Sequence, residues 1–133
     1  MPWSIHVADD RSYITLRIVG AGGRPGFEGV LAAHAKGKEL GIRSFLVDLT
    51  EATNEAPAVD DYEMAYSDFP TGGIDRFAAV VGFVRPGDHS HDFLATAFRN
   101  AGLRIELFDD RAQALSGLLD SRPDDTAPSP AAP

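Results

Sequence analysis

Apolar residues along this chain fall into two kinds of run, unbroken and alternating. Residues 77–84 read FAAVVGFV and residues 44–49 read SFLVDL; near-continuous apolar runs of this length suit strands covered on both faces. Trp3, Ile5 and Val7 alternate with polar residues, and so do Ile14, Leu16 and Ile18. With Asp9-Asp10-Arg11-Ser12 between them, these two runs predict a β-hairpin. Leu103, Ile105 and Leu107 alternate with Arg104 and Glu106, which predicts a strand over residues 103–108 with one wet side and hence a place at a sheet edge.

Helical spacing occurs four times. Phe27, Val30, Leu31 and His34 share one face, behind a glycine-rich connection at residues 20–26 that carries Pro25 in the first turn. Gly41 suits the C-terminal cap of that helix, and Gly37 weakens its last turns. Val59, Tyr62, Tyr66 and Phe69 follow at helical spacing with Asp60 and Asp61 at the start, before Pro70-Thr71-Gly72-Gly73 breaks the pattern. Phe93, Leu94, Ala97, Phe98 and Ala101 form a third face, with Asp88 or Ser90 as its cap, and Leu115, Leu118 and Leu119 a fourth, with Asp109 or Asp110 as its cap.

The order ββαβαβαβα predicts an α/β fold: a five-stranded, mostly parallel sheet with an N-terminal antiparallel hairpin and four helices. The two unbroken strands belong in the middle of the sheet. The 133 residues suffice for one domain, expected over residues 1–120. Residues 121–133 hold four prolines among small and polar residues, the composition of a disordered tail.

Charge and composition narrow the function classes. Twelve Lys and Arg against twenty Asp and Glu give a net charge of −8, which repels phosphate backbones and makes nucleic acid a poor partner. No segment approaches the roughly 18 apolar residues of a membrane span, and the N-terminus lacks the pattern of a secretory signal. The absence of cysteine excludes disulfides, thiol catalysis and cysteine-based zinc sites. A cytoplasmic location follows by default.

The N-terminal hairpin, FLVDLT at residues 45–50, FAAVVGFV at 77–84 and HDFLATAFRNAGLRIELFDDRAQALSGLL at 91–119, with the spacing between them, resemble a STAS-type domain. The similarity is to the branch grouped with the sporulation anti-anti-sigma factor and with small CRAL-TRIO-like bacterial proteins. It implies a non-catalytic regulatory or binding module acting through protein contact, with a kinase-type anti-sigma factor as the candidate partner and a homodimer as a candidate assembly. It implies no cofactor. In anti-anti-sigma members a serine in an Asp-Ser-Ser-Gly-type motif is phosphorylated. Here the matching stretch is residues 48–57, DLTEATNEAP: Asp48 fits, the serine pair and its glycine are absent, and Thr50 and Thr53 are the nearby hydroxyls. The alternative drawn from the CRAL-TRIO relatives is a binder of a small apolar or amphipathic ligand, which calls for a larger pocket than this chain easily encloses.

The loops after parallel strands gather at one rim of such a sheet, where α/β folds bind ligands. Thr50, Glu51, Thr53 and Asn54 follow one unbroken strand; Arg85, His89 and His91 follow the other. These seven residues form the candidate partner- or ligand-binding rim, with Thr53 and Thr50 as candidate phosphorylation sites. Asp88-His89-Ser90-His91-Asp92 contains metal-ligating types, but residues two apart at a helix start point to different sides, so the segment reads as a capping turn and no metal is assigned. The glycine-rich stretch at 20–26 has Pro25 where a dinucleotide fingerprint needs its third glycine. No G-x-S-x-G elbow is present, and the paired aspartates sit at turns and helix starts. An enzyme therefore ranks third, and His34, on an apolar face, reads as a packing residue.

Overall fold

The computed structural model describes residues 3–21, 24–54, 63, 66, 74–75 and 77–120. In chain order the elements are β1 (Trp3–Val7), β2 (Ile14–Ala21), α1 (Arg24–Leu40), β3 (Ser44–Thr53), β4 (Ala79–Phe83), α2 (Asp92–Asn100), β5 (Glu106–Phe108) and α3 (Arg111–Asp120). The five strands form one sheet in sequence order, β1-β2-β3-β4-β5. β1 and β2 are antiparallel, and every later neighbour is parallel. The fold class and the central place of the two unbroken apolar strands are as the pattern predicts. The described residues contain three helices, not four; the helix expected through residues 59–69 lies outside them except for Glu63 and Tyr66, and the expected tail lies outside them entirely.

β3 explains the layering. Phe45, Val47 and Leu49 face α1 and join a core with Ile14, Leu16, Ile18 and Ala33. Leu46 faces the other way and packs with Ala79, Val81, Ala114 and Leu118 beneath α3. α2 carries a smaller cluster, in which Ala97 and Phe98 pack with Phe27, Val30, Leu103 and Ile105.

α1 ends as its sequence predicts. Gly41 sits at φ 74°, and the Ile42 N–H bonds to the Gly37 carbonyl at 2.9 Å, the long-range bond of a Schellman cap. Gly37 is present for a second reason. A Cβ there would lie 2.5 Å from the Ile42 carbonyl oxygen and 2.8 Å from the Phe45 ring, so the helix meets the start of β3 with no room for a side chain.

Several boundaries depart from expectation. The loop expected over residues 50–57 starts later, because β3 runs on through Thr53. The pairing register with β2 shifts between Arg17 and Val19, so that Arg17 lies opposite Asp48 but Val19 opposite Glu51. This is a β-bulge, and it places one extra residue in β3. β5 is only three residues long; Leu103 and Ile105 pack against α2 instead of pairing. Leu119 and Phe93, expected inside, are 52% and 49% exposed, and Ala114 occupies the interior position on α3. Asp110 caps α3 by accepting from the Gln113 N–H at 3.1 Å. α2, by contrast, has His91 at its N-cap with no side-chain capping bond, so neither Asp88 nor Ser90 caps it.

Gly37→Ala tests the helix–strand approach. Alanine gains up to about 1 kcal/mol of helix propensity, while overpacking against a backbone oxygen costs about 1–3 kcal/mol. The expected outcome is a net loss of up to about 2 kcal/mol in urea unfolding.

Candidate functional site

The C-terminal end of β3 is stitched to the turn after β4. Pro86-Gly87 forms that turn, with Gly87 at φ 83° and the Asp88 N–H bonded to the Arg85 carbonyl at 3.0 Å, the signature of a type II turn. Arg85 donates from Nη2 to the Thr53 hydroxyl at 3.0 Å and to the Asp88 carboxylate at 3.2 Å. Asp88 also accepts from the Ser90 N–H at 2.9 Å. The Ser90 N–H, the Ser90 hydroxyl and Arg85 together hold the Asp88 carboxyl well below the ordinary range, at about 2. The Asn54 N–H donates to the Ser90 hydroxyl at 3.1 Å.

His91 closes the joint from inside. It is 4% exposed, and its Nε2 lies 3.2 Å from the Ala52 carbonyl oxygen. A carbonyl only accepts, so Nε2 carries the proton in this bond. Asp88 lies 3.7 Å from the same nitrogen.

The bulge divides the predicted rim. Asp48 accepts from both the N–H and the hydroxyl of Thr50, at 2.9 and 2.7 Å, which pins the extra residue. Ala52 then joins the same buried cluster as Phe45, Val47 and Leu49, although it has the opposite parity. Glu51 is exposed and pairs with Arg17 on β2. Thr53, Asn54, Arg85 and His91 therefore come together, while Thr50 and Glu51 are engaged elsewhere. His89 is left out as well: its side chain is 82% exposed and meets Asp92 on its own turn, at 2.9 Å. Among the described residues no three His, Asp or Glu side chains group as metal ligands.

Behind this joint lies an interior space. A cavity of about 110 Å³ runs between the sheet and the α1–α2 layer. Its described lining is apolar except for His34, Asn54, Asp75, His91 and Arg104. Asn54 and His91 belong to the rim. His34 and Asp75 mark the opposite end, where β3 begins, and they also line a second pocket with Lys38 and Arg43.

At that far end Arg43 grips Asp75 with two bonds, Nε at 2.7 Å and Nη2 at 3.2 Å. The Asp75 carboxyl is held below its usual range chiefly by this guanidinium. His34 is 7% exposed and stacks on Phe45 with ring centroids 4.4 Å apart. Burial pushes its pKa down to about 4; the Asp75 charge opposes that shift and Lys38 adds to it.

Comparison with solved structures identifies the scaffold. An uncharacterized protein of the DUF3478 family from Shewanella loihica PV-4, described as having a SpoIIAA-like fold, superposes with a TM-score of 0.52 at 20% identity, over 87% of this chain and 91% of that one. The fold of this chain is SpoIIAA-like. That is the STAS, or anti-sigma-factor antagonist, fold, in agreement with the resemblance read from the residues. No family model matches the sequence, and no curated protein does. No helix among the described residues is long and apolar enough to cross a membrane.

The depressed His34 gives a pH prediction. The unfolded chain binds a proton there near 6.5 and the folded chain only near 4. The associated stability is therefore complete above about 6.5 and is lost as pH falls toward 4, amounting to about 3 kcal/mol. Asp75 and Asp88, whose folded values are lowered, lose their contributions only below the ordinary carboxylate range. In urea unfolding at a series of pH values, His34→Leu should flatten the profile between 6.5 and 4 and leave the more acidic limb in place.

Proposed function

We propose that this chain is a non-catalytic STAS-like binding module that takes a small apolar or amphipathic molecule in the cavity between its sheet and the α1–α2 layer. The observation that carries this reading is the cavity, about 110 Å³ with a lining that is apolar along its length and polar at its two ends. Well-packed interiors contain few voids larger than a water molecule, and an apolar cavity of ~150 Å³ stays dry and takes benzene. Occupants of that size class, a single ring or a short alkyl chain, fit here.

Calorimetry and thermal unfolding with toluene test it. At ten times the dissociation constant a bound probe stabilises by about 1.4 kcal/mol and raises Tm by about 3–6 °C. Ala95, 3% exposed and part of the cavity wall, provides the control: Ala95→Leu should abolish binding while retaining the native circular dichroism. Absence of both heat and a Tm shift in the unsubstituted protein would refute the reading.

A second reading, favoured by one contact, is a docking rim for a protein partner under phosphorylation control. Of the two candidate hydroxyls, Thr53 already lies within hydrogen-bond distance of the Arg85 guanidinium, a group suited to holding a phosphate, whereas the Thr50 hydroxyl is spent on Asp48. Mass-spectrometric mapping of protein from its native host, with a pull-down for a kinase-type partner, should find phosphate on Thr53 and none on Thr50. Phosphate on Thr50 alone, or on neither, would remove this reading.

A further inference from the structure

His34 stands where the apolar cavity meets the second pocket and lines both. It is more than nine-tenths buried, and among the described residues its ring nitrogens meet no hydrogen-bond partner. It stacks on Phe45, and the charges of Asp75 and Lys38 act on it. A buried donor or acceptor without a partner is costly, so such groups in native structures call for an explanation. Packing alone does not supply one, because leucine or phenylalanine would fill the same apolar face without that cost.

The surroundings select the chemistry of the missing partner. A neutral imidazole offers one N–H donor and one lone pair, which matches a hydroxyl, itself donor and acceptor. An anionic head would meet the Asp75 carboxylate, whose charge Arg43 already pairs. A cationic head would face Lys38, and Arg104 also lines the cavity. With Asp75 paired to Arg43, the imidazole's own donor and lone pair set the preference, and they match a hydroxyl.

Resting on the cavity reading above, we propose that His34 is the polar anchor of the binding site and that the ligand is a small uncharged amphipath, an apolar body carrying one hydroxyl that hydrogen-bonds the His34 imidazole.

Three probes of one shape decide it: toluene, p-cresol and 4-methylbenzoate, titrated calorimetrically into the protein and into its His34→Leu variant at neutral pH. The proposal expects p-cresol to bind, its affinity to fall about three- to tenfold in the variant, and toluene to bind both proteins alike. In the unsubstituted protein, the ring nitrogens of His34 should shift in ¹⁵N NMR with p-cresol and not with toluene, a readout that does not require the variant to fold. If p-cresol loses nothing in the variant and moves no His34 resonance, while toluene still binds, the anchor is overturned and the cavity reading survives. Preferential binding of 4-methylbenzoate overturns the uncharged head; whether Lys38→Gln or Arg104→Gln removes that preference then shows which cation holds it. Binding of none of the three overturns both the anchor and the cavity reading.

Discussion

Strand β3 is buried from both sides along its first half, and that requirement places the other elements. Phe45 and Val47 need cover on one face and Leu46 on the other. A strand with no wet face takes neighbours on both edges and a helix layer above and below. α1 supplies one layer through Ala33 and Val30, and α3 the other through Ala114 and Leu118. The parallel pairings on both sides, with β2 and β4, bring two strand ends to the same edge of the sheet. The joint between Thr53 and Arg85 exists because of that shared polarity.

The site is shaped by one departure from regular pairing. The Asp48–Thr50 hydrogen bonds hold an extra residue in β3, and the strand resumes with its inward and outward positions exchanged. Without the bulge Ala52 would face away from the α1 layer, and the His91 ring would lose the arrangement in which it meets the Ala52 carbonyl. The same displacement lets Glu51 reach Arg17 on the outside. Two polar ends and an apolar middle then follow from where the chain crosses the sheet: His34 descends from α1 at the start of β3, and His91 arrives with the turn after β4.

How far this was legible follows from what sequence periodicity encodes. FLVDL and FAAVVGF announce covered strands because a two-sided burial leaves no polar alternation, and Gly41 announces a helix end because its backbone conformation is strained for other residues. The bulge was invisible, since a one-residue shift leaves composition unchanged and moves only parity; residues 50–53 accordingly read as loop. The shortness of β5 was equally hidden, because Leu103 and Ile105 alternate like a strand but are drawn to Phe98 on α2. Four of the seven rim residues converge, since strand polarity predicts their placement. The cavity left no trace in the sequence. Its wall is made of ordinary core residues from six elements and adjoining turns, and a void is a property of how they meet. His34 was seen, but a histidine on an apolar face looks the same whether or not its nitrogens are engaged.

The chain's single tryptophan sits where it can watch this architecture. Trp3 lies against α1 at Gly29, where an added Cβ would be 2.8 Å from the indole and 3.0 Å from Leu16, and Leu16 is itself part of the cavity wall. The indole is thus one side chain removed from the interior space, held by a helix that forms the roof of that space. Any displacement of α1 from the sheet changes the polarity around the ring, so the protein carries a built-in emission reporter of the separation between its two layers, readable without a label.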